Sequence, residues 1–258
     1  MFSTVWLTMI FTLAGAAVGS FLNVCIFRIP EGLSIVSPPS RCPHCGRPIR
    51  FYDNIPVVSY LLLGGKCRDC LGRISARYPL VELLTALVAW LLFRKYGLTP
   101  AYAAAFVFSC ALIVITFIDL DHRIIPHVIT LSGIPVFSLL AVLFMGLSFA
   151  DSFLGIMIGA GTLYFVAVYY ETLTKREGMG GGDVNLFAML GAFLGWKSLL
   201  FVLLVSSLLG AMVGLAAMAI KGKDLKYAIP FGPFLCIASL LYIFFGNVLT
   251  GLLLSLRP

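Results

Sequence analysis

Eight apolar runs divide the chain, at about 3–27, 80–96, 101–118, 127–148, 151–171, 184–196, 198–220 and 229–254. A helix that crosses a bilayer needs roughly 20 apolar residues. The sixth run is short for a full span. The pattern predicts an all-α polytopic membrane protein with about eight transmembrane helices. The first run opens on MFSTVW without a basic residue, and the first Lys or Arg is Arg28, just after it. A secretory signal carries its charge before the run, so this segment is expected to be a retained anchor.

Composition agrees. Hydrophobic residues make up 60% of the 258 and charged residues 11%, against roughly 45–50% and about 25% in ordinary globular chains. Mean hydropathy is +1.04. Disorder, a collagen repeat and a disulfide-stapled secreted fold are excluded. The net charge of +7 calls for no nucleic-acid partner, because positive charge on a membrane protein collects on cytoplasmic loops. The segment 28–79 holds eight Lys or Arg, and the loops on its side of the membrane add Arg123, Lys175, Arg176, Lys221, Lys223 and Lys226. The other side has Arg94, Lys95, Lys197 and Arg257. Fourteen against four makes the first side cytoplasmic and puts both termini outside.

Only 28–79 is long enough for a separate soluble unit. The expected organisation is a first transmembrane helix at 1–27, a cytoplasmic domain at 28–79 and a transmembrane domain at 80–258. Cys42 and Cys45 form one C-x-x-C, and Cys67 and Cys70 form another after 21 residues. Zinc ribbons space their pairs by about 15–20 residues. Each C-x-x-C turn presents two thiolates to one metal, and two turns complete a tetrahedron. A redox pair is the competing reading, but two matched pairs in a reducing cytoplasm favour zinc. His44, between two ligands, is expected at the surface. Cys25, Cys110 and Cys236 lie in apolar runs and read as small core residues.

Ionisable groups beside membrane helices are costly and usually functional. The third run ends ALIVITFIDLDHRIIP, which places Asp119 near the bilayer boundary and Asp121 and His122 beyond it. Residues two apart on a helix point about 200° apart, so Asp119 and Asp121 do not share one site on a continuous helix. A carboxylate near a helix C-terminus opposes the macrodipole, which removes capping as its reason. The second acidic position is Asp183, after Gly180, Gly181 and Gly182 and directly before the short sixth run. Asp183 either caps that helix or serves a site. Three consecutive glycines exceed what a cap requires and permit close approach by another segment. Both acids fall on the cytoplasmic side and can meet. Two carboxylates a few ångström apart hold one proton between them, the arrangement of an aspartic protease dyad.

In these residues the chain resembles the bacterial type IV prepilin peptidases, the bifunctional leader peptidase/N-methyltransferases. Gly180-Gly181-Gly182-Asp183 is similar to the G-x-G-D motif that this family shares with presenilin-like intramembrane aspartic proteases. The family's I-D-x-D-x-x-x-(I/L)-P stretch is matched from Ile118 and Asp119 through Ile125 and Pro126. GSFLNVCIFRIP at 19–30, YDNIPVVSYL at 52–61, RYPLVEL at 77–83 and PFGPF at 230–234 are of the family type. His127 departs from it, standing where Asp or Asn is expected.

The resemblance implies that Asp119, rather than Asp121, is the catalytic partner of Asp183, with Gly180, Gly181 and Gly182 as the active-site loop. It further implies cleavage of the basic leader of prepilins and type II secretion pseudopilins, at the cytoplasmic face of the bacterial inner membrane. The new amino terminus is then methylated using S-adenosylmethionine. No dinucleotide-type G-x-G-x-x-G is present to hold that donor. Gly65, before the second cysteine pair, is implicated in methyl transfer by the same resemblance. Glu82 either complements the dipole of its helix or makes a functional contact. Pro230 and Pro233 are expected to disturb the last helix and free backbone groups for an extended substrate strand.

Two other classes compete. A transporter also has broken helices and intramembrane acids, but needs no zinc ribbon. A secretion or pilus assembly adaptor explains the cysteines but not the two acids.

Overall fold

The computed structural model describes residues 2–175, 180–221 and 230–255. Arg176, Lys223, Lys226 and Arg257 of the charge count lie outside the described residues. Each apolar run forms one helix. After α1 (Phe2–Arg28) come a 3₁₀ turn at Phe51–Asn54 and the short α2 (Val58–Leu62). Then follow α3 (Arg77–Tyr96), α4 (Pro100–His122), α5 (His127–Phe144), α6 (Phe149–Thr174), α7 (Gly181–Leu194), α8 (Trp196–Lys221) and α9 (Gly232–Ser255). Among the described residues the only extended pairings are isolated bridges, Arg41 with Pro48 and Lys66 with Arg73.

Five helices, Val5–Arg28, Pro100–His122, His127–Phe144, Phe149–Thr174 and Trp196–Ala219, are long and apolar enough to cross a bilayer. Two more, Gly181–Leu194 and Gly232–Gly246, are apolar but shorter. The outer surface carries the same message. On α8, Leu200, Leu204, Leu208, Met212 and Leu215 form one stripe and are 59–67% exposed. A helix facing water would place charge there. These faces are solvated by lipid, and the chain is a polytopic membrane protein.

The chain divides into two compact units, Met1–Val114 and Ile115–Pro258, with the boundary inside α4. In the first, α1 lies along α3. A Cβ on Gly15 would stand 2.5 Å from the Ala89 Cβ, and one on Gly19 2.7 Å from the Glu82 Cα. Small residues one turn apart let two backbones close in this way. Phe11 fills the far end, stacking on Phe93 at 4.6 Å and meeting Tyr102 edge-on at 4.9 Å.

In the second unit α7 is the central post, in contact with α5, α6, α8 and α9. Every residue from Leu186 to Phe193 is buried. At 1.5 Å per residue its 14 residues reach about 21 Å, short of a bilayer core of about 30 Å. Protein rather than lipid surrounds it. Gly155 of α6 and Gly191 of α7 touch backbone to backbone, so a Cβ on either would run into the other. The Ser152 hydroxyl donates to the Ala192 carbonyl at 2.7 Å across the same contact. At the end of α7 away from Asp183, the Trp196 indole N–H donates to Asp151 Oδ1 at 2.9 Å.

The last helix starts later than the apolar run. Pro230 and Phe231 precede it, and Pro233 occupies its first turn. A proline there costs no hydrogen bond, because the first N–H groups of a helix have no partner inside it. The two prolines mark where α9 begins and do not break it.

Candidate active site

Asp119 and Asp183 both belong to the second unit. The α4 helix continues through His122, past the end of its apolar run. Asp119 is 5% exposed, whereas Asp121 is exposed on the opposite side. Arg123 ends the helix with φ 57°, its N–H donating to the Asp119 carbonyl at 2.9 Å. The turn sends Ile125 back against the start of α7.

Gly180, not Asp183, is the N-cap of α7, with φ −74° and ψ 149°. Asp183 stands three residues inside, its N–H donating to the Gly180 carbonyl at 3.1 Å. Its carboxyl is not a cap: Oδ1 is buried with no hydrogen-bond partner among the described residues. An orphaned buried carboxyl oxygen is costly and is what a reacting group, rather than a structural one, looks like.

Ile125 joins the two acids. A Cβ on Gly182 would lie 2.9 Å from the Ile125 Cβ, and one on Gly232 3.1 Å from the Ile125 Cδ1. The same Gly232 Cβ would lie 2.5 Å from Asp119 Oδ2, and the Gly232 backbone hydrogen-bonds the Asp119 carboxyl. The two carboxyls are within direct electrostatic reach of one another, and both act on the fully buried Cys236 thiol of α9. Gly180 and Gly181 have open space where a side chain would go; only Gly182 is held by packing. His127 and Asn185 flank the pair, the Asn185 amide donating to His127 Nδ1 at 3.0 Å. Pro230 is half-buried and Pro233 buried beside Gly232.

The sequence shows the motif PFGPF but gives its glycine no role. Gly232 matters because it lacks a side chain, and only the packing reveals that. Ile125 is legible only as the (I/L) position of the motif, with no role attached, and Cys236 only as an apolar core residue.

In the first unit the four cysteines converge. The Sγ atoms of Cys42, Cys45, Cys67 and Cys70 all lie within 4.8 Å of one another, and Cys42 Sγ and Cys70 Sγ are 3.8 Å apart. A zinc tetrahedron with bonds of about 2.3 Å has edges of about 3.8 Å, so the cluster fits that ion. The two arms are built alike. Cys42 N–H donates to Arg47 O at 2.9 Å, and Cys67 N–H donates to Gly72 O at 2.8 Å. Gly46 and Leu71, directly after each pair, turn with φ 71° and 57°. Backbone N–H groups of Cys70 and Asp69 pull the Cys67 thiol down to about 7. Against the Gly72 N–H, desolvation and the neighbouring thiols push the Cys70 thiol up to about 11, as crowded sulfurs sharing one site do. His44 is exposed, as expected, and its Nε2 lies 3.3 Å from the Arg73 carbonyl on the other arm.

Gly65 and Glu82 fall on one stretch. Glu82, 8% exposed, accepts the Val57 N–H at 2.8 Å through Oε2. From Val57, α2 leads to Gly64 and Gly65, which turn with φ 58° and 67° toward Cys67. A Cβ on Gly65 would stand 2.9 Å from the Tyr60 hydroxyl. Asp53 anchors this stretch to the second knuckle, with Arg68 Nη2 and Nε on its carboxylate at 2.7–3.1 Å. The Arg68 guanidinium holds the Asp53 carboxyl below the usual carboxylate range.

The polytopic helical scaffold thus carries a four-cysteine cluster in its first unit and the pair of acids in its second. Comparisons with known proteins give the family. A profile described as the bacterial peptidase A24 N-terminal domain matches residues 13–96, and the type IV leader peptidase family matches residues 106–215. The prepilin leader peptidase/N-methyltransferase of Pseudomonas aeruginosa is 37% identical, over 92% of this chain and 90% of the relative. That of Aeromonas hydrophila is 39% identical, over 90% and 89%. That of Myxococcus xanthus is 43% identical, over 81% and 62%. No solved structure matches the chain. The chain belongs to the prepilin leader peptidase/N-methyltransferase family.

Proposed function

We propose that this chain cleaves the basic leader from type IV prepilins and type II secretion pseudopilins and then methylates the amino terminus it exposes. The observation that carries the peptidase half is the juxtaposition of Asp119 and Asp183, two acids from different helices, in a family of peptidases. In such a pair one carboxylate takes a proton from water, which attacks the scissile carbonyl. The protonated partner hydrogen-bonds the developing oxyanion and then delivers its proton to the leaving nitrogen. The expected loop of three glycines is instead a helix start: Gly180 caps α7, and Gly181 and Gly182 open its first turn and bring Asp183 in. Gly232 lets the start of α9 close on Asp119. The backbone around Pro230 and Pro233 lies beside the pair and offers groups to an extended substrate.

Cys42, Cys45, Cys67 and Cys70 hold a structural zinc ion, which would supply folding free energy to the 28–79 domain. S-adenosylmethionine is the methyl donor. Gly65 and Glu82 serve methyl transfer, in the amino-terminal half. All eight apolar helices cross or enter the inner membrane, with the peptidase pair, 80–258, and the zinc domain opening to the cytoplasm. Lipid and the pilin precursors are the partners.

One experiment tests both halves. Purified prepilin is incubated with the protein, with and without S-adenosylmethionine, and the products are weighed by mass spectrometry. Loss of the leader mass in both samples, and a gain of one methyl only with the donor, supports the reading. No leader loss with wild-type protein rejects it.

A further inference from the structure

The most unusual backbone in the first unit is at Val57, with φ 62° and ψ −47°. Its neighbours close the tightest turn a chain can make, the Val58 N–H donating to the Pro56 carbonyl at 2.6 Å. This is the γ-turn of positive φ, which is rare and strained, and a β-branched residue is ill suited to it. The Glu82 carboxylate holds it by accepting the Val57 N–H. Strain maintained in this way accompanies ligand clamps.

A second, independent observation lies one helical turn away. Asn23 is 3% exposed. Its amide nitrogen donates to the Gly19 and Tyr78 carbonyls at 3.3 and 3.1 Å. Both partners are acceptors, which fixes which way the amide points. Its Oδ1 is therefore the buried atom left without a donor among the described residues. Gly19 and Asn23 are one turn apart on α1, and Tyr78 and Glu82 are one turn apart on α3. Gly19 packs against the Glu82 backbone and the Asn23 amide bonds the Tyr78 carbonyl, so the two side chains belong to successive turns of one helix–helix contact. Glu82 receives one backbone N–H, that of Val57. A carboxylate has about four acceptor positions, so capacity remains.

We propose that Glu82 and Asn23 form the seat of the free α-amine during methyl transfer, a role that rests on the methyltransferase reading above. The site is rich in acceptors and carries a negative charge, which suits an ammonium with three N–H donors. The donor's own α-ammonium has the same chemistry, so the two occupants are told apart by which KM responds. The incoming amine takes the place of the Val57 N–H on Glu82, and relaxation of the strained turn offsets the bond lost. The ammonium gives one proton to the Glu82 carboxylate. The nitrogen lone pair then forms the new N–C bond to the donor's methyl carbon. The C–S pair stays on sulfur and cancels its charge, leaving the methylated nitrogen cationic. Because α2 runs from this turn to Gly65 and Cys67, the seat is continuous with the second cysteine knuckle.

The test is a steady-state assay of methyl transfer to a pre-cleaved pilin peptide with a free amino terminus. Glu82→Gln retains an acceptor for the Val57 N–H but not a proton acceptor. It is expected to lower methyl transfer about 10²-fold and to raise the KM for the peptide, with the KM for S-adenosylmethionine unchanged. The residual activity should rise with pH as the free amine fraction grows. Asn23→Leu should raise the peptide KM about tenfold, the loss of one buried acceptor. Cleavage of full-length prepilin by the same preparations reports that they are folded. A wild-type KM and rate for the peptide in both variants overturns the proposal. So does a rise in the KM for the donor alone, which would make this the donor's site. Failure of wild-type protein to methylate the peptide overturns the methyltransferase reading itself and this seat with it.

Discussion

Asp119 and Asp121 differ in sequence only by two positions, yet one is buried and the other faces out. The helix decides it: α4 runs on to His122, and a two-residue step turns the side chain to the opposite face. Asp119→Asn and Asp183→Asn are each expected to reduce prepilin cleavage by at least about 10²-fold, since each removes one side of the proton exchange. Asp121→Asn is expected to cleave at close to the wild-type rate. A quantitative cleavage assay on purified variants reads all three, and a dead Asp121 variant beside an active Asp119 variant would reverse the assignment. The glycines give a second residue-scale expectation. Gly182→Val would push Ile125 away and separate the acids, so cleavage is expected to be lost. Gly181→Ala meets open space and is expected to retain it.

At the scale of elements, the 28–79 segment has little apolar core of its own. Phe51, Leu62, Leu71 and Val36 are 70–88% exposed. The cysteine cluster is what can hold it, as metal binding does in small domains. About one zinc per chain is expected by elemental analysis. A Cys67→Ser, Cys70→Ser double variant should lose the metal and become open to proteolysis between α1 and α3; normal metal content in it would refute the site. The Asp53–Arg68 pair contributes in a pH-dependent way. The Asp53 carboxyl is held below its usual value, so its contribution is complete above about pH 4. It is lost as the pH falls through the lowered value. Both partners are near the surface, so the effect is small; Asp53→Asn should remove that acid dependence from protease protection of the loop.

On the scale of the whole molecule, one family profile, 13–96, lies within the first compact unit, and the other, 106–215, lies mostly in the second. The two activities should therefore separate. Asp183→Asn is expected to methylate a pre-cleaved pilin normally while failing to cut the precursor. Gly65→Leu, which forces a side chain onto φ 67° and into Tyr60, should impair methylation more than cleavage. Equal loss of both in either variant would mean one shared pocket. Charge makes a separate prediction about orientation: Cys45 and Cys70 should react with an impermeant thiol reagent in inverted membrane vesicles after zinc removal, and not in right-side-out ones.

The sequence alone determined the class, because length and polarity of apolar runs are local quantities and a bilayer reads them locally. It determined the cysteine cluster for the same reason: two C-x-x-C turns present their thiolates wherever the chain between them goes, and the Sγ atoms do converge. It also named Asp119 and Asp183, but through motifs, while leaving open whether Asp183 merely capped a helix. What only the tertiary structure decided is everything that depends on one backbone approaching another. Gly180 is the cap, so the Asp183 carboxyl is free of that duty. Gly232 touches Asp119 across more than a hundred residues of chain, and Ile125 wedges between both glycines. Glu82, readable in sequence as a dipole partner, instead holds a strained turn 25 residues earlier. Such contacts are set by the packing of helices from distant parts of the chain, and no local pattern of apolar and polar residues carries their register.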